Sequence, residues 1–162
     1  MADVSYTGNS TVRRDSTDVV TGVGHGYSKK TVCTTVEVAS ATAAGSTYKV
    51  ARIPSNARIC MSSHVYWDDL TTTGSPTMDV GLGSVSNNIT EDPDALNNGL
   101  DVSSAGDGRL ITAIADGGLP AWDHVNGQAS DPGGELDVYI SIVDAAHTTT
   151  GTVTVELDYV VD

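Results

Sequence analysis

Two acidic pairs, Asp68-Asp69 and Glu91-Asp92, are the residues with the most direct chemical use. Carboxylates facing each other across a sugar, one with its pKa raised, carry out glycoside hydrolysis. Trp67 and Trp122 would then stack on the sugar rings. Aromatic residues make up only 5% of the chain, which is poor for a carbohydrate groove. Trp67, at the end of an apolar run, reads better as core or interface filler. Ser63 and His64 are sequence neighbours, so on a strand they point to opposite faces and cannot form a nucleophile–base pair. Asp123-His124, with Asp131 in the same stretch, would offer metal ligands. Zinc needs three or four that converge, and His25, His64 and His147 stand on separate segments. Asp92-Pro93-Asp94 opens like a calcium loop, but Leu96 and Asn97 stand where the EF-hand pattern needs a ligand and a glycine. The run Gly22 to Gly26 lacks the third glycine of a dinucleotide fingerprint, because Tyr27 occupies that position. The residues therefore predict no catalytic site, no metal and no cofactor.

The elements that would position these groups are strands. The 162 residues include 20 Val, 20 Thr and 17 Gly, against four Glu, three Lys and no Phe. β-Branched residues fit a pleated sheet and lose rotamer freedom in a helix. Val32, Thr34, Val36 and Val38 share one face of a strand. Further strands read as Ser46–Ile53, stopped by Pro54, Ala57–Trp67, Thr77–Leu82 and Arg109–Ile114. Residues 84–108 and 116–134 read as long loops, the first with a helical turn at Asp92–Asn98. The last two runs alternate most clearly: Leu136, Val138, Ile140 and Ile142, then Val153, Val155, Leu157, Tyr159 and Val161. They predict an antiparallel hairpin with one core face and one wet face. The whole predicts an all-β, antiparallel β-sandwich, jelly-roll-like, of about eight strands, over 31–162. Residues 1–30 predict an extended N-terminal arm ordered by what it touches.

Net charge is −13, which opposes binding to nucleic acid and to anionic membranes. No run of 18 apolar residues could span a bilayer, and the N-terminus lacks a signal-peptide pattern, so synthesis in the cytosol is expected. Charge is uneven along the chain. Residues 1–60 hold seven Lys and Arg against four acids, whereas 61–162 hold only Arg109 against 17 acids. Either one portion meets a partner, or the two interleave in the fold and cancel. Cys33 and Cys60, without a secretion signal, predict free thiols.

The stretch Gly45-Ser46-Thr47-Tyr48-Lys49-Val50-Ala51-Arg52-Ile53-Pro54-Ser55-Asn56-Ala57-Arg58-Ile59 resembles a pattern in small structural proteins of tailed bacteriophages. There a strand ends in a basic residue, a hydrophobe and proline, and the next opens alanine, arginine, hydrophobe. Trp67-Asp68-Asp69-Leu70 and Pro76-Thr77-Met78-Asp79-Val80-Gly81-Leu82 resemble the following hairpin. The resemblance covers about residues 45–82. It implies a virion structural protein without enzymatic activity, of the capsid cement or decoration type. Such a protein binds the major capsid protein as a homotrimer on the capsid exterior and is made in the host cytoplasm. Under this reading Arg13, Arg14, Lys29 and Lys30 contact the capsid, and Tyr66, Trp67 and Trp122 are oligomer-interface candidates. The alternative is a fibre-tip or adhesin-like module that binds glycans or a host surface through Trp122, Tyr66 and the 84–134 loops.

Overall fold

Alternating Val and Thr make strands, and burial decides which face turns inward. In chain order these are β1 (Lys30–Val38), β2 (Ser46–Pro54), β3 (Arg58–Ile59), β4 (His64–Trp67), β5 (Thr77–Ser84), β6 (Asp92–Asp101), β7 (Gly106–Arg109), β8 (Glu135–Val143) and β9 (Gly151–Val160). The computed structural model describes residues 29–40, 44–71, 73–85 and 89–161. The arm expected over 1–30 therefore lies outside the described residues apart from its last two. Two 3-10 turns, Ile114–Asp116 and Ala121–His124, are the helical pieces among the described residues.

The strands form an antiparallel β-sandwich. One sheet runs β1-β9-β4-β7, with β3 also paired to β9, and the other runs β2-β8-β5-β6. Pairing is nested: β1 with β9, β2 with β8, β4 with β7, and β5 with β6. Val65, Val153, Val155 and Leu157 of the first sheet meet Val80, Leu82, Val138, Ile140 and Ile142 of the second in one buried core.

Several expectations are corrected. The run Ala57–Trp67 is two strands, β3 and β4, separated by a turn closed by the Ser63 N–H donating to the Cys60 carbonyl at 3.0 Å. Of the residues its alternation predicts inward, Ile59, Ser63, Val65 and Trp67 are buried and Met61, in the turn, is half-buried. Residues 92–98 are strand β6 rather than a helical turn. Its pairing jumps from Leu82↔Asp92 to Val80↔Asn97, so the extra residues bulge out and hide the alternation. The strand expected at Arg109–Ile114 is β7, which ends at Arg109; Leu110 and Ile111 are buried beyond it, while Ile114 is 86% exposed.

The final two runs do not form a hairpin: β8 and β9 lie in different sheets. Residues 144–150 carry the chain across the sandwich, with Asp144 at φ 64° and a fully buried His147. The His147 Nε2–H donates to the Ala39 carbonyl at 3.0 Å, tying this crossing to the end of β1. Nor is the polar face of β8 wet, since Asp137, Tyr139 and Ser141 are all buried.

The chain itself covers that face. Gly81 sits opposite Tyr139, and a Cβ on Gly81 would lie 2.5 Å from the Asp92 carbonyl oxygen and 2.6 Å from the Pro93 backbone. The start of β6 thus crosses directly over β5, which only glycine permits. Gly81→Ala is expected to lower stability by about 1–3 kcal/mol through overpacking. Urea unfolding checks this, and an unchanged midpoint would mean that the crossing does not rest on Gly81.

Candidate binding surfaces

The two outward faces of the sandwich differ. On the four-stranded sheet, β8 runs down the middle with its polar residues inward of neighbouring side chains. Lys49 Nζ and Arg52 Nε of β2 donate to the Asp137 carboxylate at 2.6 and 2.8 Å. Burial alone would raise the Asp137 pKa, but the two cations hold it below its ordinary value. Beside this pair lies an open groove of about 330 Å³, lined by Thr47, Lys49, Glu91, Pro93, Tyr139 and Ser141. Burial, with Glu91, Asp92 and Asp94 nearby, pushes the Tyr139 phenol up to about 12, so it stays protonated. Along the same edge, burial raises Asp79 and Asp92, and Asp94 raises both further. This edge is strongly acidic.

The outward face of the five-stranded sheet is bare by comparison among the described residues. Register places Cys33, Glu156, His64 and Arg109 in one cross-strand row, and Thr35, Thr154, Tyr66 and Asp107 in the next. The His64 and Tyr66 rings stack with centroids 6.0 Å apart, and Tyr66 remains 44% exposed. At one end of this face sits Asp158, buried although it points outward. Its carboxylate accepts from Lys29 Nζ at 2.8 Å, Thr31 Oγ1 at 2.5 Å and Ser62 Oγ at 2.6 Å. These three donors, Lys29 foremost, hold Asp158 down from 3.8 to about 2. Asp158 therefore clamps the entry of β1 onto β9 and the β3–β4 turn.

The residues singled out from the sequence are dispersed. Lys29 is engaged by Asp158, Lys30 is exposed at the start of β1, and Arg13 and Arg14 lie outside the described residues. Of the three aromatic interface candidates, only Tyr66 presents an open ring. Trp67 is 9% exposed, lies against Gly106 and Gly108 of β7, and donates Nε1–H to the Ser104 carbonyl at 2.9 Å. It is a core residue with little area left for a partner. Trp122 is half-buried in the second 3-10 turn, whose backbone N–H groups donate to Ser55 and Ala57.

The groups weighed for chemistry close loops instead. Asp68 accepts from the Thr152 N–H and Oγ1, both at 2.8 Å. Asp92 accepts from the Asn126 N–H at 2.7 Å, and Asp131 from Ser55 Oγ at 2.6 Å. Ser63 turns inward and exchanges hydrogen bonds with the Asp158 backbone, while His64 points out. No three His, Cys, Asp or Glu side chains converge on a metal position among the described residues. Cys33 is exposed and Cys60 half-buried, both free. Sequence reading missed the Asp137 and Asp158 clusters. The available signal was an acid alternating with hydrophobes on each of the two clearest strands.

No family model matches the chain, and no curated protein matches it. Two solved structures are similar in fold. A chain from the capsid asymmetric unit of cyanophage Pam1 superposes with a TM-score of 0.58 at 18% identity, covering 94% of this chain and 98% of that one. A chain from the capsid of Ralstonia phage GP4 gives 0.57 at 22% identity, covering 82% and 85%. At these identities the likeness is one of fold.

The Asp158 clamp sets an acid limit on stability. Its folded pKa lies below the ordinary value, so its contribution is complete well above 3.8 and disappears as pH falls toward about 2. In urea unfolding followed over this range, Asp158→Asn should start less stable at neutral pH and show a flatter acid limb than the unaltered protein. Parallel acid limbs would show that other carboxylates set the limit.

Proposed function

We propose that this chain is a structural component of a tailed-phage virion, of the capsid cement or decoration type. On this reading it binds the major capsid protein as a homotrimer on the capsid exterior, without catalysing a reaction. The observation that carries it is the fold likeness to the Pam1 capsid chain, which runs over nearly the whole length of both chains. The nested strand pairing supports a jelly-roll wrapping of the sandwich. The engagement of Asp68, Asp92 and Asp131 in closing loops supports a non-enzymatic role.

Cementing is a linkage effect: a protein that binds the assembled shell across subunit boundaries stabilises that state. It needs area and shape rather than a cleft. The bare face of the five-stranded sheet, centred on Tyr66, offers area. Arg13, Arg14, Lys29 and Lys30 are the proposed capsid contacts, and the acidic remainder keeps crowded copies soluble. The glycan-binding alternative, through Trp122, Tyr66 and the 84–134 loops, has less support, because Trp122 is half-buried against the core and Tyr66 stands on strand β4 rather than in those loops.

Sedimentation at micromolar concentration is expected to give about 50 kDa, three times the chain mass, with Tyr66→Ala shifted toward the monomer. Added to empty shells, the protein should raise their thermal resistance. A monomer that leaves shell stability unchanged and binds sugars saturably on a glycan array would overturn the proposal.

A further inference from the structure

Apart from the two-residue β3, four strands form the edges of the two sheets among the described residues: β1 and β7 in one, β2 and β6 in the other. An edge strand presents unpaired N–H and C=O groups, and monomers blunt such edges with bulges, proline, charge or brevity. Three of these edges are blunted. β2 shifts register between Lys49 and Ala51, carries Lys49 and Arg52, and ends at Pro54. β6 shifts register twice and contains Pro93. β7 is four residues long and includes two glycines.

β1 is not blunted. It pairs with β9 through nine consecutive residues without a shift, and it contains neither proline nor a bulge. Its inner face is incompletely covered too: Val32 and Val36 pack against the core but are only half-buried. A further strand laid on this edge would continue the sheet and finish covering them.

We propose that the occupant is β1 of a second copy, running antiparallel about a two-fold axis at Cys33. The warrant is self-complementarity. Lys29, Thr31, Cys33, Thr35 and Glu37 all lie on the outward face. Antiparallel pairing centred on Cys33 sets Lys29 opposite Glu37 twice, Thr31 opposite Thr35 twice, and Cys33 opposite itself. Lys29 keeps 54% of its side chain exposed while holding Asp158, so it can meet a second carboxylate. Glu37 is exposed and makes no ion pair among the described residues. The two sheets would then join into one that crosses the axis.

One strand pair buries less than a stable dimer needs, so the contact is weak in isolation. In an array of copies held in place by other contacts, many such pairs act together. The inference goes beyond the capsid reading and does not depend on it. Loss of the trimer would leave the β1 pair intact, and loss of the pair would leave the trimer mass unchanged.

The test is thiol cross-linking of the full-length protein with a short bis-maleimide, in a Cys60→Ser background that leaves Cys33 alone. A linked pair should form in a concentration-dependent manner and vanish in Cys33→Ser. Glu37→Lys turns two attractions into two repulsions and should lower the yield about tenfold at an unchanged unfolding midpoint. Glu37→Gln should fall between. Absence of linking, or linking indifferent to position 37, overturns the proposal. So does linking that appears only after residues 1–28 are removed, which would mean that the chain's own N-terminal segment holds the edge.

Discussion

Every strand of the sandwich is held, directly or through one neighbour, by β8 or β9. Strand β9 lies between β1 on one side and β3 and β4 on the other, and β8 lies between β2 and β5. The strands that organise both sheets are therefore the last in the chain. Lys30 waits for Tyr159, and Ser46 for Ile142. Such long-range closure makes folding slow and leaves early strands unpaired until the C-terminal part is present. A central strand also has no free edge, and its outward face is hemmed in by two neighbours. A carboxylate there loses water and must find donors. Asp137 finds Lys49 and Arg52, and Asp158 finds Lys29, Thr31 and Ser62.

These two carboxylates also explain the uneven charge along the sequence. Among the described residues, Lys29, Lys30, Lys49 and Arg52 sit on or beside β1 and β2, and the nested topology pairs β1 with β9 and β2 with β8. Lys29, Lys49 and Arg52 thus meet acids from the C-terminal part, and the Arg58 guanidinium donates to the Gly118 carbonyl at 2.7 Å. Much of the apparent basic excess is structural. The acidic excess is not so compensated on the β5–β6 edge, where Asp79 and Asp92 are raised by burial and by Asp94.

Strand positions and inward faces were legible because the side-chain period of two is local. Val32 to Val38, Leu136 to Ile142 and Val153 to Tyr159 all lie on the faces their alternation predicts. Partner choice was not legible. Nothing in the 144–150 segment distinguishes a hairpin from a crossing, and only the buried His147 and the positive φ of Asp144 show which one the chain takes. β6 was hidden for a different reason. Its register shifts scramble the alternation, and Asp92-Pro93, favourable at a helix start, serves here to cross Gly81. The aromatic candidates divided on parity. Tyr66 and Trp67 are adjacent on β4, so one had to face out and the other in.

That parity, with the path of β6, gives the molecule two unlike sides. On the four-stranded sheet the chain lays its own residues 91–93 over β5, leaving a groove between Lys49, Glu91 and Pro93 beside Tyr139 and Ser141. On the five-stranded sheet nothing in the described chain does the same, and Thr35, Tyr66 and Asp107 remain exposed across three strands. A sheet of this kind gains little by leaving a stacked tyrosine and histidine in water, since aromatic area contributes most when a partner covers it. The open side also carries the β1 edge and the Lys29–Asp158 clamp, so the proposed Tyr66 and β1 contacts share one side of the molecule.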